Sequence, residues 1–130
     1  MKKIEGLRKI AIRLNGTTSK AYEMLAENVI GSKKILAAPG LTVYVLVDGT
    51  IMELYGPGAD FPAYLFADSD VVVSYRVSNL DEALVELTRS GAEVVAVMDC
   101  DQGSFRFCHI RITGQSLFGI YEERELRTAS

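Results

Sequence analysis

The sequence predicts an α+β fold made of two βαβββ modules. Three observations carry this: the order of strand and helix patterns repeats, matched residues recur at a nearly constant offset, and an element-free stretch separates the halves. A shift of 63 residues lays Ile12-Arg13-Leu14 over Tyr75-Arg76-Val77. The closing strands, Met52-Glu53-Leu54-Tyr55 and Phe118-Gly119-Ile120-Tyr121, match at 66. The difference falls in loops, where insertions cost little. Module one spans about 7–55, a linker 56–70 and module two about 71–123, all within one domain of residues 1–130.

Arg8–Leu14 alternates, with Ile10, Ile12 and Leu14 on one face and Lys9, Ala11 and Arg13 on the other, which is a strand pattern. Asn15 and Gly16 break it, and Thr17 or Thr18 caps a helix over about 19–29 with Ala21, Met24, Leu25 and Val29 inward. Lys34–Ala38 is a strand closed by Pro39-Gly40. Leu41–Val47 and Thr50–Tyr55 form a hairpin about Asp48-Gly49. Residues 56–70 hold prolines, glycines and aspartates with Phe61, Tyr64 and Phe66 among them, the composition of a linker with aromatic anchors. These three rings either wall a pocket or pack one subunit on another.

The pattern then repeats. Val71–Val77 is a strand. Ser78 or Asn79 caps a helix to about Ser90, with Leu80, Ala83, Leu84 and Leu87 as its buried stripe and Gly91 as its stop. Glu93–Met98, Phe105–Ile112 and Leu117–Glu122 complete the module, with the DCDQGS stretch, 99–104, as a loop.

Composition excludes several function classes. A net charge of −3 is not that of a general nucleic-acid binder. No apolar run reaches the length of a membrane span, and the basic start lacks a signal-peptide core. Cys100 and Cys108 have no CxxC spacing and read as free thiols of a reducing, cytoplasmic compartment. Phosphate-loop, dinucleotide, nucleophile-elbow and calcium-loop patterns are absent.

One residue stands out against its surroundings. Glu53 lies in a strand among Ile51, Met52, Leu54 and Tyr55, where an ionised carboxylate is costly unless paired. Strand parity places Ile51 and Tyr55 on its face, and repeat parity groups Lys9, Ala11 and Arg13 with Val72, Ser74 and Arg76. The expectation is a charged anchor held by Arg13 or Arg76, since a guanidinium pairs bidentately with a carboxylate. His109, the sole histidine, groups by alternation with Phe105, Phe107 and Arg111.

The stretches KIAIRL, DGTIMELYGPG, VVSYRVSNLDEALVELTRSGAEVV and SLFGIYEE resemble the glyoxalase/bleomycin-resistance/dioxygenase (vicinal oxygen chelate) superfamily over most of residues 7–123. The resemblance implies curved mixed sheets around a cleft that holds a ligand or metal, and a homodimer. Metal-dependent members take a His from each opening strand and a Glu from each closing strand. Those positions hold Lys9 and Val72, and Glu53 and Gly119, in this chain. One carboxylate facing an ammonium is not a divalent-metal site. The resemblance therefore implies a metal-free protein, with no cofactor, that sequesters a small organic ligand in an apolar cleft through Lys9, Arg13, Glu53, Tyr55, Ser74 and Arg76. The alternative is a lyase, isomerase or dioxygenase of the same superfamily with a non-standard site. No nucleic-acid or membrane partner is expected.

Overall fold

Alternating apolar residues make the strands, and each helical pattern packs on one face of the strands of its own half. The computed structural model describes residues 8–15, 19–29, 32–100 and 105–123, in two compact units that divide after Val73. Thr17 and Thr18, expected as helix caps, lie outside the described residues, as do 101–104 of the expected loop.

The first unit runs β1 (Arg8–Arg13), α1 (Ser19–Met24, continuing as wider turns over Leu25–Val29), β2 (Lys33–Ala38), β3 (Leu41–Val45) and β4 (Ile51–Tyr55). Its strands lie in the order β2-β3-β4-β1. β1 and β4 are parallel; the other neighbours are antiparallel. Asp48 closes the β3–β4 hairpin by accepting from the Thr50 amide at 2.9 Å, with Gly49 at a positive φ of 88°.

Ile12, Ala26, Tyr44, Met52 and Leu54 form the core of this unit, with Ile10, Leu14, Tyr22 and Leu46 packed against it. The inward face of the first helix differs from the expected one. Ala26 is fully buried and Tyr22 packs on the core, whereas Met24 is 56% exposed and Ala21 is exposed. Two overlapping stripes satisfy the helical period here, Ala21-Met24-Leu25 and Tyr22-Ala26, and the chain buries the second, with the larger Tyr22 ring on the core.

The second unit takes up β5 (Val71–Arg76) from Ser74 onward, then α2 (Leu80–Arg89), β6 (Ala92–Cys100), β7 (Phe105–Ile112) and β8 (Phe118–Glu123). Its order is β5-β8-β7-β6, with β5 and β8 parallel and the rest antiparallel. Asn79 caps α2, its side chain accepting from the Glu82 amide at 3.0 Å. Glu122 reaches the same end and accepts from the Leu80 amide at 2.6 Å. The predicted stripe faces inward: Leu80, Ala92, Cys108, Ile110 and Ile120 are the core, and Ala83, Leu84 and Leu87 pack on it.

The repeat holds at the level of register. Ala11 pairs with Glu53 and Arg13 with Tyr55 in the first unit. Ser74 pairs with Gly119 and Arg76 with Tyr121 in the second. The inferred offsets therefore superpose residue on residue.

Candidate functional site

In each unit the strand face turned away from the helical core carries the unusual residues. Since Ile10 and Ile12 face the core, alternation places Lys9, Ala11 and Arg13 on the opposite face of β1. Ile51, Glu53 and Tyr55 lie on that face of β4 by the same argument, because Met52 and Leu54 are core residues.

Glu53 is held from two sides. The Tyr55 hydroxyl donates to its Oε1 at 2.9 Å, and the Lys9 Nζ lies 3.6 Å from Oε2. The Lys9 and Glu53 side chains are only 19% and 15% exposed. Neither expected arginine provides the counter-charge. Arg13 is drawn to Asp70 at the end of the linker, with Nη2 2.6 Å and Nε 2.9 Å from Oδ1, and its amide donates to the Asp70 carbonyl at 2.8 Å. Arg76 pairs with Glu123 at 3.6 Å. Register explains the outcome: the residue across from Glu53 is Ala11, which leaves Lys9 and Arg13 as diagonal neighbours. Asp70 claims Arg13, and the lysine takes the carboxylate.

Two of the three linker aromatics, Phe61 and Phe66, left open between two roles by the sequence, pack within their own unit. Tyr55, Phe61 and Phe66 meet edge to face, with centroids 5.9 Å (Tyr55–Phe61), 5.5 Å (Tyr55–Phe66) and 4.9 Å (Phe61–Phe66) apart. The Arg13 guanidinium lies 5.9 Å from the Phe66 ring centroid. At the start of the linker, a side chain on Gly40 (φ 80°) would collide with the backbone of Gly58 and Ala59, and Gly40 accepts from the Gly56 amide at 2.7 Å. Residues 56–70 are thus fastened at both ends, with two rings set against Tyr55.

In the second unit the corresponding face holds Ser74, Gly119, Tyr121 and His109, with His109 across from Gly119. Ser74 is buried, at 4% exposure. A Cβ on Gly119 would overlap the Ser74 hydroxyl and stand 3.2 Å from the Ser74 Cβ and 3.3 Å from the His109 Cδ2. Phe105, Phe107 and Tyr121 form a second aromatic trio. Phe105–Phe107 and Phe107–Tyr121 are each 5.8 Å apart and near parallel. Sequence reasoning placed the two phenylalanines on one face but did not join them to Tyr121. The 66-residue repeat was the available signal, since it pairs Tyr121 with Tyr55.

These residues do not fit a divalent metal. Of the four positions named above, one holds a carboxylate, and that carboxylate already has an ammonium and a hydroxyl. A second carboxylate at 119 has no room beside Ser74. Among the described residues, no three His, Cys, Asp or Glu side chains gather where they could hold a metal ion.

Burial, followed by the charge of Glu53 and the hydrogen bond to it, pushes the Tyr55 hydroxyl well above the usual tyrosine range. Tyr44, whose hydroxyl donates to Glu27 at 2.9 Å, is pushed up to about 12 by burial first and by that bond second. The folded chain therefore keeps these protons above about pH 10, where an unfolded chain releases them. Their contribution to stability is complete below about pH 10 and is lost as the pH rises toward 12. Urea unfolding between pH 8 and pH 12 is expected to show its steepest loss of stability in the upper half of that range, after a smaller loss from the buried Cys108 thiol, which burial also pushes up. Tyr44→Phe should remove at most about 2–3 kcal/mol of the fall. A flat profile would contradict the assigned environments.

The sequence matches no protein-family model, and no curated protein matches it. Solved structures match it in fold. A glyoxalase/bleomycin resistance protein/dioxygenase superfamily member from Vibrio splendidus is 11% identical, with a TM-score of 0.61 over 89% of this chain and 97% of that one. The chain has the glyoxalase/bleomycin-resistance/dioxygenase fold. Methylmalonyl-CoA epimerase from Mycobacterium tuberculosis shares this glyoxalase-like fold at 16% identity, with a TM-score of 0.57 over 96% of this chain and 94% of that one. So does a hypothetical protein from Bacillus halodurans, at 14% identity with a TM-score of 0.64 over 95% and 97%. No described helix of the chain is long and apolar enough to cross a membrane.

Proposed function

We propose that the protein binds a small organic ligand without a metal, on the strand face of module one turned away from its helix, where Lys9, Glu53 and Tyr55 meet. The reading includes a cytoplasmic homodimer that sequesters its ligand and catalyses no reaction on it. The observation that supports it most is the state of Glu53. It is a carboxylate of low exposure whose charge is balanced inside the chain, by Lys9 at 3.6 Å and by the Tyr55 hydroxyl at 2.9 Å. Such a carboxylate is poorly placed to ligate a cation, and it offers hydrogen-bonding capacity beside the apolar rings of Tyr55, Phe61 and Phe66.

Native mass spectrometry of protein taken from cells, combined with elemental analysis, tests the reading. The expected result is a dimer mass with less than stoichiometric metal and a retained organic molecule that is lost from the Glu53→Gln variant. About one zinc or nickel ion per chain, released by the same substitution, would overturn it.

A further inference from the structure

The Lys9–Glu53 pair is loose, and its looseness specifies a ligand group. The Nζ–Oε2 separation of 3.6 Å exceeds the about 2.7–2.9 Å of a charge-assisted hydrogen bond. The other oxygen of Glu53, by contrast, is engaged by Tyr55 at full hydrogen-bonding distance. Both charged side chains are mostly shielded from water, so a polar atom that enters between them forms bonds that solvent weakens little. An atom about 2.8 Å from each would accept from the ammonium and donate to the carboxylate.

Charge narrows the choice. Lys9 and Glu53 cancel, and Tyr55 keeps its proton under the influence of Glu53. A ligand carboxylate would be drawn to Lys9 but set against Glu53, and a ligand ammonium would meet the reverse. Either would bring a net charge into a poorly hydrated place.

We propose that the ligand enters this gap with a neutral group that both donates and accepts, a hydroxyl or a carboxamide. That group bridges Nζ of Lys9 and Oε2 of Glu53, with an apolar or aromatic body alongside. This rests on the binding function proposed above and adds the chemistry of the ligand's polar end.

Four probes with one ring and different ends test it: benzamide, benzyl alcohol, benzoate and benzylamine. Each is titrated into the full-length protein while the side-chain resonances of Lys9, Glu53 and Tyr55 are followed by NMR. Benzamide and benzyl alcohol are expected to shift these resonances with dissociation constants at least about tenfold below those of the two charged probes. Lys9→Met should remove that preference, and the wild-type series decides the matter even if the variant does not fold. Benzoate or benzylamine binding at the same resonances as tightly as benzamide would overturn the neutral bridge while leaving the binding face in place. No perturbation of the three residues by any probe would overturn both.

Discussion

Gly119→Ala is expected to destabilise the protein by about 1–3 kcal/mol in urea or thermal unfolding, the range for forcing an extra carbon into a filled space. Gly119 is not in the left-handed region, so backbone strain is not the reason. On conformational entropy alone the substitution would stabilise by about 0.4–1 kcal/mol. The opposing term is steric: the new methyl group would overlap the Ser74 hydroxyl and crowd His109 from the other neighbouring strand. Ser74 is buried in the strand registered against Gly119 and cannot swing aside cheaply. The steric term should win.

The double variant Ser74→Ala/Gly119→Ala separates the two contributions. Removing the hydroxyl relieves the worst overlap and leaves the Ser74 Cβ at 3.2 Å. The pair should therefore recover most of the loss, with a coupling of about 0.5–2 kcal/mol. If Gly119→Ala is neutral on its own, the space beside Ser74 is softer than described, and a carboxylate at 119 would become structurally admissible.

Much of this was legible in the sequence, because the signals concerned are periodic. Alternation put Lys9 and Arg13 on one face of β1 and Glu53 and Tyr55 on one face of β4, and the offsets of 63 and 66 anticipated the paired registers Ala11–Glu53 and Ser74–Gly119. The stripe of α2 could be read for the same reason. What escaped depends on contacts that no period encodes. Arg13 and Lys9 are equivalent by alternation, and Asp70, 57 residues further along, decides between them. Phe61 and Phe66 lie in a stretch without regular structure, so nothing in their spacing points to Tyr55. The first helix offers two apolar stripes one residue apart, and periodicity alone does not choose Tyr22 and Ala26 over Ala21 and Met24.

The repeat also separates scaffold from site. Arg13–Tyr55 and Arg76–Tyr121 are matched pairs, each arginine joined to an acid and each tyrosine to two phenylalanines. A feature present in both modules is explained by what both modules need, which is a fastened strand end. Two residues inward the modules diverge: Ala11 and Glu53 in the first, Ser74 and Gly119 in the second. There the first carries charge and the second carries small side chains packed tightly together. Arg13 and Arg76 are thus joined to acids of their own modules, and the charge that differs between the modules lies with Lys9 and Glu53.

That division can be measured by setting the two ion pairs of module one against each other. Asp70→Asn weakens a pair whose side chains are 46% and 41% exposed, and it is expected to cost about 0–1 kcal/mol. Lys9→Met keeps the apolar stem but leaves Glu53 with Tyr55 as its remaining described partner, at 15% exposure. Its expected cost is about 1–3 kcal/mol, because a shielded polar group loses a partner that water does not fully replace. Salt should distinguish the pairs further. Raising ionic strength to about 1 M shortens the screening length to about 3 Å, which should erase the effect of Asp70→Asn and preserve most of that of Lys9→Met. Neutralising both partners, Lys9→Met with Glu53→Gln, should cost less than the two single losses added together, since neither variant side chain leaves an uncompensated charge. If Asp70→Asn proved the costlier change at both salt concentrations, Lys9 would not be what holds Glu53, and the assignment of the anchor would return to Arg13.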